Sequence, residues 1–178
     1  MLLQGLTKIA VILGAAAVLM AASPYAGLEK RSIKALSPER IAALESGSGA
    51  GYALAAELNG YPGPRHVLDL ADALKLTPAQ REETAALFSE MQQGAVALGR
   101  ELIRREAGLE KLFRSGGAAE AALSAMTAEI GATEARLRAI HLKYHIRMAE
   151  LLTDDQRSAY NTLRGYDNQK SGHTGHRH

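Results

Sequence analysis

The 178-residue chain has no cysteine and no tryptophan, and aromatic residues make up only 4% of it. The lack of cysteine excludes disulfide staples, thiolate metal sites and thiol catalysis. Scarce aromatics beside abundant alanine and leucine favour packed helices over a β-sandwich, since these two residues are the best helix formers. A dominant charge sign is missing as well. The net charge is +2, with no basic block and no interleaving of basic and aromatic residues, so nucleic acid is not an expected partner. No G-x-S-x-G, H-E-x-x-H or phosphate-cradling glycine loop occurs. The acid pairs Asp69/Asp72 and Glu82/Glu83 fall on ordinary polar helix faces, so a non-enzymatic protein is expected.

Residues 1–26 have the pattern of a secretory signal. Lys8 supplies the positive charge, Ile9 to Met20 the apolar stretch, and Ser23-Pro24-Tyr25-Ala26 a cleavage site after Ala26. The uncharged run from Ile9 to Ala26 is also at the short edge of a spanning helix, so retention as an inner-membrane anchor is the alternative. Either way the expected location is the periplasm. Residues 27–61 read as a glycine-rich, partly helical segment. Ser37-Pro38 starts a helix over Glu39–Glu45, Ser46–Gly51 breaks it with a run too glycine-rich to bury a core, and Tyr52–Leu58 allows a further turn or two. Asn59–Pro64 is dense turn chemistry and the expected edge of the folded body.

Within residues 62–166 one phrase occurs twice. Leu76-Thr77-Pro78-Ala79-Gln80 and Leu152-Thr153-Asp154-Asp155-Gln156 both read L-T-x-x-Q. Each is a helix start, with Thr77 or Thr153 as the N-cap and Gln80 or Gln156 closing a capping box. Pro78 suits the first helical position, and Asp154 and Asp155 suit the positive end of the helix dipole. A short helix is expected over His66–Lys75. A long helix follows from Pro78 to about Arg114, with the stripe Leu87, Met91, Ala95, Leu98, Leu102, Leu109, Phe113. Ser115-Gly116-Gly117 stops it, and a second runs from about Ala118 to Leu151 on the stripe Leu123, Met126, Ile130, Leu137, Ile140, Tyr144, Leu151. At 1.5 Å per residue each is on the order of 50 Å long, and so tight a turn makes them antiparallel. Gly94, Gly99 and Gly108 inside the first long helix point to close approach or a bend. A last helix starts at Thr153, and residues 167–178 form a polar tail expected to be disordered.

A signal sequence, a helical hairpin and L-T-x-x-Q at both ends of it resemble the periplasmic LTxxQ superfamily of stress chaperones and metal-responsive proteins. Pro62-Gly63-Pro64-Arg65-His66 leading into the first phrase resembles its heavy-metal-resistor branch. The resemblance implies an all-α, four-helix hairpin protomer, a homodimer and a cradle-like shape. It also implies either a heavy-metal sensor or buffer acting through a periplasmic or inner-membrane signalling partner, or an ATP-independent chaperone for unfolded clients.

Two groups of residues could carry metal chemistry. His141, His145 and Met148 stand at i, i+4 and i+7 on the second long helix, which stacks them on one face. Imidazole with thioether suits zinc, nickel, cobalt or copper, and a metal sensor of the superfamily likewise presents histidines one turn apart with a methionine. Glu134 is the nearest acid on that face. The neighbours Arg138, Lys143 and Arg147 equally suit an exposed flank with no ligand role, and Met148 lies near the apolar stripe. His173, His176 and His178 form a second, looser group in the tail. For the chaperone alternative, Arg100, Arg104 and Arg105 could border an apolar surface on the first long helix.

Overall fold

A computed structural model describes residues 23–166. Among the described residues there are α-helices, a 3₁₀ turn at Leu28–Lys30, and no strand, so the fold is all-α as expected. The described residues 23–30 belong to a unit separate from the one that begins at Arg31. The helices are α1 (Pro38–Ser46), α2 (Leu54–Glu57), α3 (Pro64–Asp69), α4 (Pro78–Arg114), α5 (Glu120–Leu151) and α6 (Asp154–Leu163). Helix α4 packs along α5 as the antiparallel hairpin, and the arm formed by α1 and α2 lies against it. The signal-like residues 1–22 and the tail 167–178 lie outside the described residues.

The caps form as the sequence dictates. The Ser37 hydroxyl accepts from Arg40 N–H at 3.1 Å to start α1. Thr77 and Thr153 each cap their helix with complete capping boxes. The two boxes also bond to each other. Gln80 Oε1 accepts from the Thr77 N–H at 3.1 Å and from Gln156 Nε2 at 3.0 Å. Gln156 Oε1 accepts from the Thr153 N–H at 3.0 Å and from Gln80 Nε2 at 2.9 Å. The remaining amide hydrogens go to Leu151 O at 3.1 Å and Leu74 O at 3.3 Å. Both amides thereby use their full donor and acceptor capacity. The start of α4, the end of α5 and the start of α6 are tied at one point.

Several elements differ from the sequence expectation. The helix expected over His66–Lys75 ends at Asp69, and Lys75 turns the chain with φ 51°. Asn59–Pro64 is no edge of the fold but a turn inside it, with Pro62, Gly63 and Pro64 buried. The glycine-rich run after α1 also packs. Gly47 is buried, and a Cβ there would lie 2.9 Å from Gln92 O. The close approaches expected of the α4 glycines are present. A Cβ on Gly99 would stand 2.2 Å from Leu44 O of α1, and one on Gly94 would stand 2.1 Å from Ile140 Cδ1 of α5.

The core has two parts along the hairpin. Val67, Leu74, Leu76, Leu87, Met91, Tyr144, Met148 and Tyr160 pack around the glutamine pair's end. Ile33, Leu36, Leu44, Tyr52, Ala95, Leu102, Ile130 and Leu137 pack where the arm crosses the hairpin. Of the two expected stripes, Leu98, Leu109, Leu123 and Met126 are only half-buried and Phe113 is exposed. Toward the hairpin tip, among the described residues, there are two layers of helix and no third helix to cover them.

Candidate functional site

The turn between α2 and α3 carries the arm across α5 where His141 and His145 emerge. Both histidines are buried, so they do not form an exposed flank among Arg138, Lys143 and Arg147. His145 Nδ1 lies 2.8 Å from Tyr61 O. A carbonyl only accepts, so in the neutral ring Nδ1 carries the proton and Nε2 a bare lone pair. His141 stacks on Tyr52, with ring centroids 5.8 Å apart, and its Nε2 is buried without a hydrogen-bond partner. Burial, and then the charge of His145, push the His141 pKa down to about 4, so its imidazole is neutral at neutral pH. Both rings line a cavity of about 330 Å³ together with His66, Gly63, Met91 and Gln92.

Beside them lies a carboxylate that sequence reasoning missed. Glu57, at the end of α2, is 6% exposed. Its Oε1 accepts from the Tyr160 hydroxyl and from the Tyr166 hydroxyl at 3.1 Å, and stands 3.5 Å from Arg164 Nε. His66 Nδ1 is 3.3 Å from the same oxygen. Burial, and then the Glu57 carboxylate, raise the Tyr160 pKa, which keeps that phenol protonated as a donor. Oε2 has no hydrogen-bond partner, and His145 Nδ1 lies 3.7 Å from it. A second recess of about 270 Å³ has Glu57, His66 and His145 in its wall.

Gly63 forms the roof of this junction. A Cβ at that position would lie 2.9 Å from His145 Cε1, 3.1 Å from His145 Nε2 and 3.4 Å from Glu57 Oε2. Its φ of −85° is open to any residue, so the lack of a side chain there leaves space between histidine and carboxylate and relieves no strain. Among the described residues no group of three or more His, Asp or Glu side chains stands as a ready-made metal cage. The residues present are right in type for a borderline divalent metal, with imidazole and carboxylate donors. They would have to close on it.

Not every residue singled out from the sequence meets here. His141 and His145 share the cavity wall. Met148 does not; it is fully buried in the core with Val67 and Tyr160. Glu134 is exposed and is not part of either cavity wall. His173, His176 and His178 lie outside the described residues.

Residues 64–164 match the LTXXQ motif family protein model. The chain belongs to the LTXXQ motif family. Membership fits a periplasmic stress or metal-resistance protein in general, and such proteins are generally non-enzymatic and typically periplasmic. No described helix is long and apolar enough to cross a membrane. No curated protein and no solved structure matches the chain.

Proposed function

We propose that this LTXXQ protein is a heavy-metal sensor or buffer of the resistor branch, with Glu57, His145 and His66 as the ligand set and His141 beside it. The observation that carries the reading is the gap under Gly63, between a buried carboxylate oxygen without a partner and an imidazole whose other nitrogen is held by a carbonyl. Tying one ring nitrogen down fixes which nitrogen is offered to a metal, the usual arrangement around histidine ligands. Zinc, nickel, cobalt or copper is the class of ion this donor set suits. A bound divalent ion would supply positive charge to a carboxylate that now leans on two phenols and an arginine. The ligands belong to α2, α3 and α5, so closing them on an ion changes how the arm sits on the hairpin. A metal shifts such an equilibrium only through its different affinity for the two arrangements, and the side chains are not preassembled. The altered surface would be read by a partner, either a second copy or a periplasmic or inner-membrane signalling protein.

The test is a thermal melt with each metal. A ligand at 100 times its dissociation constant stabilises by about 2.7 kcal/mol. Glu57→Gln, His145→Ala and Gly63→Ala should each abolish the shift, the last by occupying the gap without removing a ligand. Absence of any shift with all four metals would refute the reading. One observation favours the chaperone alternative: Leu54, Leu58, Tyr61 and Ile146 are each at least 43% exposed. These side chains include the rim of a shallow groove between the arm and α5. On that reading aggregation of an unfolding client is suppressed without metal, and Ile146→Glu weakens the suppression.

A further inference from the structure

The two hollows at the junction differ in chemistry, although His145 stands in the wall of both. The smaller has the Glu57 carboxylate in its wall. The larger, toward α4, has no carboxylate among its described wall residues and carries the thioether of Met91 instead, beside His141 and His145. All three side chains are buried. The histidines are one turn apart on α5 and share a face. Met91 comes from α4 across the hairpin. The Tyr144 hydroxyl donates to Glu90 at 3.1 Å, and Gly94 stands against Ile140, so Met91 lies level with the two rings. His141 Nε2 is buried without a partner. His145 Nε2 is the bare nitrogen left when Nδ1 bonds to Tyr61 O. Arg65, in the same wall, is paired with Asp69 and its side chain is 64% exposed, so the cavity reaches solvent there.

We propose that this larger cavity is a separate site for a soft monovalent cation, Cu⁺ or Ag⁺, held by Met91 Sδ, His141 Nε2 and His145 Nε2. Thioether sulfur selects soft ions, and imidazole accepts them. Charge points the same way. The cost of burying an ion rises with the square of its charge, and a divalent ion among neutral donors keeps its whole charge uncompensated. A carboxylate-free wall therefore suits a single positive charge, while the Glu57 side suits a double one. Methionine is unbranched with three rotatable bonds, so its sulfur can move onto the ion while the core keeps its stem in place. The site goes beyond the divalent reading and does not depend on it. Both draw on His145 Nε2, so a chain holding one ion there excludes the other.

The experiment titrates the full chain with Ag⁺, and anaerobically with Cu⁺ against a chromogenic Cu⁺ chelator, following methionine methyl and histidine ring NMR signals. Met91→Leu, which keeps the hydrophobic volume, His141→Ala and Glu57→Gln are run beside it. The Met91 methyl and both rings should shift together in the unaltered chain. Affinity should fall by about tenfold or more in Met91→Leu and His141→Ala, and stay within about twofold in Glu57→Gln. A Met91 methyl that stays put while the ion binds would overturn the proposal, and this readout needs no variant to fold. Met91→Leu binding as tightly as the unaltered chain would overturn it too. Equal weakening by Glu57→Gln and Met91→Leu would merge the two hollows into one site and overturn the separate one. Zinc melts of the same variants keep the two readings apart: a zinc shift lost in Glu57→Gln and kept in Met91→Leu upholds the divalent site whatever Ag⁺ does.

Discussion

Replacing Gln80 by alanine tests whether the repeated motif is a joint or merely two helix caps. The substitution removes four hydrogen bonds: to the Thr77 N–H, to Leu151 O, and two shared with the Gln156 amide. A hydrogen bond contributes about 0.5–1.5 kcal/mol net. Thr77 is exposed, so water replaces its bond; the other three are half-buried. A loss of about 2–3 kcal/mol follows, which in a domain of this size lowers the melting midpoint by about 4–12 °C. Thr77→Ala, which removes only a cap, should cost about 1 kcal/mol. The decisive quantity comes from the Gln80→Ala/Gln156→Ala cycle, measured by urea unfolding. Two bonds are common to both side chains, so the coupling should be about 1–2 kcal/mol. A coupling below about 0.5 kcal/mol, the ordinary scatter of independent sites, would refute the joint and reduce the motif to local capping.

Other outcomes follow from single contacts. Gly99→Ala should destabilise by about 1–3 kcal/mol, because its Cβ meets the backbone carbonyl of Leu44 and overpacking carries costs of that size. Gly94→Ala meets only the tip of Ile140, which can rotate away, so the helix-propensity gain of about 1 kcal/mol offsets most of its cost; equal losses at the two positions in chemical denaturation would contradict this. His141 is neutral in the fold down to a pKa of about 4 but titrates at its ordinary value once unfolded. The unfolded chain therefore binds the extra proton between these two values, and stability falls as pH drops from about 6.5 to about 4, by as much as ~3 kcal/mol. His141→Phe should flatten that part of the stability–pH curve, and an unchanged slope would show that another group causes it.

The caps, the hairpin and the chain breaks were legible because each is set by residues within a turn of one another. Thr77 with Gln80 and Thr153 with Gln156 read as caps from spacing alone, and both capping boxes are complete. That the glutamines bond to each other was not legible, since the contact joins residues 76 apart. Met148 shares a helix face with His141 by angle, yet it sits about 10 Å further along the axis, where Val67 and Tyr160 cover it. Glu57 gave no signal because it sits in a short amphipathic stretch that looks solvated. Its burial comes from Tyr160 and Tyr166, which lie more than a hundred residues downstream. The cavity wall at Ser46–Gly49 was hidden for the opposite reason: glycine suggested slack chain, while here it allows the arm to lie against α4.

Glu57 precedes residue 64, where the family match begins. The scaffold and its most distinctive acid are thus written in separate stretches of the gene product. Two chains could agree throughout the matched stretch and still differ at the acid that the arm supplies. Sorting such proteins by the hairpin alone would group them by shape and leave out the carboxylate that stands against His145 and His66.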